Sequence, residues 1–302
     1  MSSPATITVS VPGSTSNCGA GFDTLGLAVN LRNRVTVSRA EGTGAPVPVR
    51  AADGRAQAMV AAAAERFWAE TGTTPFAFSY QIDGEVPPTR GLGSSVTVRA
   101  GIVAALDHLA GTAVGRERLV GLVTALEGHP DNASAGILGG FCVARCDPAT
   151  GAYVDTVRIP VPDELIFVTA SPLLEVSTHA SRGTLPAQLP YFDAVKSINS
   201  ATYFVAAMAT GDFDRLRHAM GDFMHEPYRL PGIPGAAGAI AAGVKAGALA
   251  GWLSGSGSSV MCASRRSEAD AVVAAMRAVF AADGQACEAA ILHADNEGLR
   301  LG

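Results

Sequence analysis

A chain of 302 residues, 48% of them hydrophobic and 16% charged, is long enough to form one large or two medium domains with substantial cores. Its 22 basic residues stand against 27 acidic ones, a net charge of −5, which argues against nucleic acid as the main partner because phosphate-backbone binding needs clustered positive charge. Only Lys196 and Lys245 are lysines, so cationic contacts to phosphate fall mostly to arginine.

In chain order, residues 6–11 and 34–38 read as strands, and 56–71, rich in alanine, reads as a helix. A strand over 76–82 leads into a glycine loop, followed by a helix over 94–110 that stops at Gly111, and another over 116–126. Residues 139–146 and 152–159 form a hairpin around the turn formers 147–151, and 165–170 is an apolar strand. Helical spacing recurs at 193–210, 213–224 and 240–246. Strands follow over 249–253 and 259–263, then a helix over 268–281 and a last strand near 288–293. Pro160 and Pro162 interrupt the pattern, which predicts an α+β protein of two units, 1–160 and 161–302.

The five cysteines, Cys18, Cys142, Cys146, Cys262 and Cys287, are odd in number and lack paired zinc spacing, so packing roles as reduced thiols are expected. Met1 to Thr6 has no signal-peptide character. The most apolar stretch, 236–253, is Gly/Ala-rich and carries Lys245, short of a bilayer span. The expectation is a cytoplasmic protein without membrane or nucleic-acid partners.

The segment Pro87-Pro88-Thr89-Arg90-Gly91-Leu92-Gly93-Ser94-Ser95 runs straight into a helix-compatible stretch and reads as an anion cradle. Glycines let backbone approach an oxyanion, N–H groups at a helix start are unpaired, and the helix dipole favours negative charge there. Two serine hydroxyls at the turn add ligands for phosphate oxygens or Mg²⁺. The same residues also suit an ordinary capped helix after a loop. There is no Gly-x-x-x-x-Gly-Lys-Ser/Thr string and no His-Arg-Asp or Asp-Phe-Gly element, which excludes a Walker A site and a protein kinase.

Two further segments share this small, polar character, one over 11–26 and one at Leu253-Ser254-Gly255-Ser256-Gly257-Ser258-Ser259-Val260. With the Gly91 loop they resemble, in order and spacing, the three signature motifs of the GHMP small-molecule kinases. Within that superfamily the chain is most similar to the homoserine kinases, on the Asn17 to Asp23 segment, Glu127-Gly128-His129-Pro130-Asp131-Asn132, Thr178 to Arg182 and His225-Glu226-Pro227-Tyr228-Arg229. The resemblance implies a nucleotide-binding α/β domain followed by a ferredoxin-like domain. It also implies transfer of phosphate from ATP, with Mg²⁺, to the side-chain hydroxyl of L-homoserine, a step in threonine biosynthesis.

The resemblance assigns residues as follows. Arg90, Gly91, Leu92, Gly93, Ser94 and Ser95 cradle the phosphates with Gly255, Ser256 and Gly257, and Ser95 and Glu127 hold the metal. Arg182 and Arg229 clamp the substrate carboxylate, while Asn17, Asp23, His129, Asp131 and Asn132 surround its amino group and side chain. Thr178 stands near the reacting hydroxyl, and the catalytic group comprises Asn17, Asp23, Thr178 and Arg182. Asp131 and Asn132 offer a polar assist, though neither is read as a base. A homodimer is compatible with the reading. Another small alcohol such as threonine, shikimate or mevalonate, or a non-catalytic metabolite-binding regulator, are the alternatives.

Some residues depart from the family pattern. Val96-Thr97-Val98-Arg99 stands where small alanines are usual after the serines, Cys18 replaces a leucine, Ser258 and Ser259 replace a proline and a threonine, and Ala56 or Gln57 stands where an asparagine usually meets adenine.

Overall fold

The computed structural model describes residues 6–302. Strands β1 (Thr6–Ser16) and β2 (Leu25–Arg39) form a long antiparallel pair, followed by β3 (Val47–Pro48), helix α1 (Gln57–Thr71) and β4 (Phe78–Gly84). Next come α2 (Ser94–Ala110), α3 (Arg116–Glu127), α4 (Asp131–Leu138) and the hairpin β5 (Phe141–Cys146) and β6 (Tyr153–Ile159). The second half carries β7 (Leu165–Pro172), α5 (Thr178–Gly183), α6 (Tyr191–Thr210), α7 (Glu226–Arg229) and α8 (Ala236–Lys245). It closes with β8 (Ala250–Leu253), β9 (Val260–Arg265), α9 (Ala269–Ala282), β10 (Cys287–His293) and β11 (Arg300–Leu301).

The strands make two sheets. In the first, β2 is long enough to share one edge between two partners, pairing through Leu25–Leu27 with β5 and through Asn33–Arg39 with β4, while β1 covers its other edge. The second sheet has the order β10-β7-β9-β8, all antiparallel. Counted along this unit the strands lie 4-1-3-2, the ferredoxin-like arrangement that a strand, helices, hairpin, helix and strand produce. All eight residues of β7 are buried, as its nearly unbroken apolar run requires of a central strand covered on both faces. The last strand, β11, returns to pair with β1 in the first sheet.

Three apolar clusters hold these layers. Val35, Val37, Phe67, Tyr80, Ile102 and Leu106 fill the space between the first sheet and helices α1 to α3. Val168, Val260, Cys262, Val272, Met276 and Phe280 lie between the second sheet and its helices. The third cluster draws from both halves, packing Leu25, Leu27 and Phe141 against Phe167, Phe204 and Trp252. Trp252 also donates from its indole nitrogen to Thr15 Oγ1, 3.0 Å away, which ties β8 to the end of β1. Burying this apolar area at about 25 cal/mol per Å² is what opposes sliding of one sheet over the other.

Helix α2 spans the expected 94–110, and Gly111 caps it at φ 68°. The hairpin stands where turn chemistry put it. The expected helix over 213–224 does not form: a short 3₁₀ helix spans Phe213–His218, after which the chain is irregular. Phe213, Leu216 and Ala219 are buried at a spacing of three, which a 3₁₀ turn satisfies as well as an α-helix. Continuation is prevented by Asp222, whose carboxylate accepts from the backbone N–H groups of Met224, His225 and Glu226 at 2.9, 2.8 and 2.7 Å and so starts α7. Strand β1 runs on through Ser16 because the polar stretch from Gly13 pairs with Gly26 to Val29 after a register shift at Pro12, which has no N–H to give. All five cysteines are free, and burial pushes the Cys142 and Cys262 thiols up to about 12.

Candidate active site

The glycine loop ends in Gly93, which enters α2 at φ 70° without any side-chain cap. The unpaired N–H groups of the first helical turn therefore meet the cleft wall made by Gly91, Gly93, Ser94 and Ser95. A Cβ on Gly91 would lie 2.1 Å from the Ser254 carbonyl oxygen, and one on Gly93 would lie 2.4 Å from Ser14 Oγ. This closeness is bonded. Ser254 Oγ donates to the Gly91 carbonyl at 2.6 Å, Ser259 N donates to the Arg90 carbonyl at 3.1 Å, and Ser14 N donates to the Leu92 carbonyl at 3.1 Å. The two glycine loops and the end of β1 thus form one knitted wall.

Ser95 Oγ donates to Glu127 Oε2 at 3.2 Å, from the first turn of α2 to the last residue of α3. Arg99 lies on the other side of that carboxylate: its Nη1 is 2.8 Å from Glu127 Oε1 while donating to the Leu126 carbonyl at 2.7 Å. A hydroxyl and a carboxylate beside an anion cradle are the donor set a hard, oxygen-seeking cation such as Mg²⁺ takes, and both line the cleft.

The other end of the cleft is built on strained backbone. Asn17, Cys18 and Asp23 have φ of 70°, 46° and 53°. Asn17 holds this turn from within: its Oδ1 accepts from Asp23 N at 3.2 Å, and its Nδ2 donates to the Gly255 carbonyl at 3.1 Å. Arg182 Nη2 donates to Asp23 Oδ1 at 2.6 Å, and Arg229 Nη1 donates to the same Gly255 carbonyl at 3.2 Å. Arg229 is only 6% exposed, and burial, then the neighbouring Arg182 charge, lower its pKa from the ordinary arginine value. Thr178 Oγ1 lies 3.5 Å from Ser256 Oγ at the start of α5.

Behind them, His129 Nδ1 is 2.6 Å from Asp131 Oδ1. Burial alone would lower the imidazole's pKa, but the Asp131 charge and hydrogen bond outweigh it, and His129 is pushed up to about 9. Asp131 is held below the usual carboxylate range by the same pairing, against the opposing effect of its burial. Asn132 accepts from Ser14 Oγ at 2.8 Å and donates to Ser16 Oγ at 3.0 Å, which joins α4 to β1.

Asn17, Asp23, Gly91, Gly93, Ser94, Ser95, Glu127, His129, Asp131, Asn132, Thr178, Arg182, Arg229, Gly255 and Ser256 all line one cleft of about 250 Å³. Three expected residues do not. Arg90 turns away from the cleft to donate to the Pro172 carbonyl at 2.9 Å, so it adds no charge at the wall formed by the glycine loop. The Leu92 side chain is buried in the core, and Gly257 lies behind the wall, where its Cβ would meet Ile233 at 2.4 Å. Gln57, which stands where the family pattern has an asparagine, donates to the Pro46 carbonyl and accepts from Tyr80.

The sequence reading missed Phe22, which also lines the cleft, and Glu226, whose Oε1 accepts from Leu253 N at 2.7 Å. Burial pushes Glu226 up to about 7. Both residues fall inside the segments that carry the resemblance, where sequence alone does not separate them from their neighbours. Only contacts to distant residues distinguish them.

Among known proteins, the family of GHMP kinases N terminal domains matches residues 58–140 and that of GHMP kinases C terminal domains matches 204–282. A homoserine kinase of Moorella thermoacetica is 40% identical over 298 residues, covering 96% of this chain and 98% of the relative. One from Synechococcus sp. (strain CC9311) is 35% identical over 301 residues, with 97% and 95% covered. The crystal structure of homoserine kinase from Cytophaga hutchinsonii superposes with a TM-score of 0.88 at 27% identity, covering 98% of this chain and 97% of that one. With both family domains matched in order and full-length relatives this similar, the chain belongs to the GHMP kinase family, on the homoserine kinase branch.

Proposed function

We propose that this protein transfers the γ-phosphoryl group of ATP to the side-chain hydroxyl of L-homoserine, giving O-phospho-L-homoserine and ADP. The observation that carries the reading is the joining, in one cleft, of an uncapped helix start on a glycine loop with two arginines and an aspartate. An α-amino acid needs a cationic fork for its carboxylate and an acidic partner for its ammonium. Arg182 and Arg229 supply the first, and Asp23, with Asn17 fixing its turn, supplies the second.

In the transfer, the homoserine oxygen bonds to the γ-phosphorus as the bond to the β,γ-bridging oxygen breaks, and the hydroxyl proton is released. Gly91 to Ser95 and the Gly255–Ser256 backbone orient the phosphates; Thr178 and Asn132 border the reacting hydroxyl. Ser95 and Glu127 would hold Mg²⁺, which when bound neutralises charge on the phosphate oxygens. His129 is protonated near neutral pH and Asp131 is a weakened base, so neither is suited to take the proton. Positioning suffices where the transition state is loose and the hydroxyl loses its proton late.

The same reading assigns the nucleotide to residues 1–160 and much of the acceptor clamp to 161–302, and places the reaction in threonine biosynthesis. Five free thiols are in keeping with a reducing, cytoplasmic setting. Among the described residues no helix is long and apolar enough to cross a membrane. A homodimer is compatible with the proposal and is tested by sedimentation.

The deciding experiment is ATP consumption with L-homoserine, L-threonine, shikimate and mevalonate at saturating Mg-ATP. Homoserine and threonine present the same carboxylate and ammonium, but the homoserine hydroxyl is primary and one carbon further out. A misplacement of about 1 Å costs about a hundredfold in rate, so homoserine should exceed threonine in kcat/KM by at least that factor. A threonine value equal to or above that of homoserine overturns the acceptor assignment. Nucleotide binding without turnover of any alcohol would instead favour a metabolite-binding regulator.

A further inference from the structure

The Phe22 ring occupies a position that no step of the proposed reaction requires. It lines the cleft, and the guanidinium carbons of Arg229 and Arg182 lie 5.0 and 5.4 Å from its centroid. The ring is itself held, stacked on buried His225 at 5.3 Å between centroids with an interplanar angle of 29°. His225 Nε2 is 2.8 Å from the Gly19 carbonyl, so the ring's support is bonded to the same turn that carries Phe22. Burial, then the Asp222 and Gly19 contacts acting the opposite way, leave the His225 pKa below its ordinary value, so the platform under Phe22 is a neutral ring.

Two guanidinium groups brought together to receive one carboxylate repel each other, and the repulsion is sharpest where one of them is as buried as Arg229. Asp23 relieves Arg182 through its ion pair, whereas Arg229 donates to the Gly255 backbone carbonyl and its Nε has no partner. The face of an aromatic ring attracts cations without presenting an anion that would compete with the substrate carboxylate. We infer that Phe22 is a positioning residue of the acceptor site, its ring holding Arg182 and Arg229 side by side as one carboxylate receptor and so setting the preference for alcohols that carry an α-carboxylate. This inference rests on the homoserine kinase reading and deepens it.

The test compares Phe22→Leu, Phe22→Tyr, Arg182→Lys and Arg229→Lys, using L-homoserine and its carboxamide as acceptors. Leucine keeps apolar bulk and removes the π face. Phe22→Leu should raise KM for homoserine about tenfold, equivalent to about 1.4 kcal/mol, within the range of two partly desolvated cation–π contacts. It should leave kcat and the KM for ATP within about twofold and the KM for the carboxamide unchanged. Phe22→Tyr, which restores the ring, should recover most of the loss, and Phe22→Leu should add little in an Arg229→Lys background. Equal effects on homoserine and carboxamide would show a merely structural ring and overturn the inference. So would an unmoved homoserine KM in Phe22→Leu while both arginine variants raise it, an outcome that leaves the clamp standing. If the arginine variants also leave that KM unmoved, the clamp falls and the role of Phe22 falls with it.

Discussion

Replacing Gly91 by alanine would test whether the two glycine loops form a single wall. Gly91 has φ 73°, where a Cβ costs about 1–2 kcal/mol. That cost alone is measured by a control, Gly111→Ala, because Gly111 has φ 68° and a Cβ there would meet nothing within 4 Å. At Gly91 the new methyl would stand 2.1 Å from a backbone oxygen, that of Ser254, which cannot rotate away as a side chain would. The loops must separate. Two hydrogen bonds then come under strain, Ser254 Oγ to the Gly91 carbonyl at 2.6 Å and Ser259 N to the Arg90 carbonyl at 3.1 Å. Each buried donor left without a partner costs about 1–3 kcal/mol. Gly91→Ala should therefore cost about 3–8 kcal/mol against about 1–2 for Gly111→Ala, a large share of a typical stability of about 5–15 kcal/mol. Denaturant unfolding of both variants measures the difference, and the KM for ATP, expected to rise at least tenfold or so only at Gly91, reports the displaced loop. Equal unfolding free energies for the two variants, with an unchanged KM for ATP, would refute the reasoning.

Ser95→Ala and Glu127→Gln should each raise the Mg²⁺ concentration needed for half-maximal rate by at least about tenfold, and Glu127→Gln, which also takes the anionic partner from Arg99, should lower the melting temperature more than Ser95→Ala does; unchanged Mg²⁺ dependence in both variants would remove the metal assignment. Glu226 carries a pH prediction. Its folded pKa, about 7, exceeds the ordinary 4.5 because burial disfavours its charge, so the stability it confers is full below about pH 4.5 and is lost as pH rises through 7. Glu226→Gln keeps an acceptor for Leu253 N and does not titrate. It should gain about 3 kcal/mol on the parent between pH 4.5 and pH 8, an upper figure from the rise of its pKa from 4.5 to about 7, and a pH-independent difference in unfolding free energy would contradict it.

Much of this protein was legible because the signals are local. Helix α2 begins and ends where Ser94 and Gly111 indicate, since a helix start and a left-handed glycine stop are decided within a turn. The hairpin of β5 and β6 follows from two strand-forming runs around turn formers, and the glycine loop that enters α2 from glycines and serines preceding an apolar periodicity. Tertiary structure decided the rest. The spacing of Phe213, Leu216 and Ala219 fitted two kinds of helix, and the carboxylate of Asp222, bonded to the backbone N–H groups of His225 and Glu226, belongs to α7 rather than to a continuation of the 3₁₀ segment. Arg90 sits in the right motif, yet its side chain goes to Pro172 on β7, a strand far along the chain. Arg99 was visible only as a departure after the serines until α3 brought Glu127 to within 2.8 Å of it. Phe22 and Glu226 gained their surroundings the same way, from Arg182, Arg229 and Leu253. Periodicity and turn chemistry are properties of neighbours in sequence, whereas charge pairing, ring contacts and burial depend on which distant segments the packed sheets bring together.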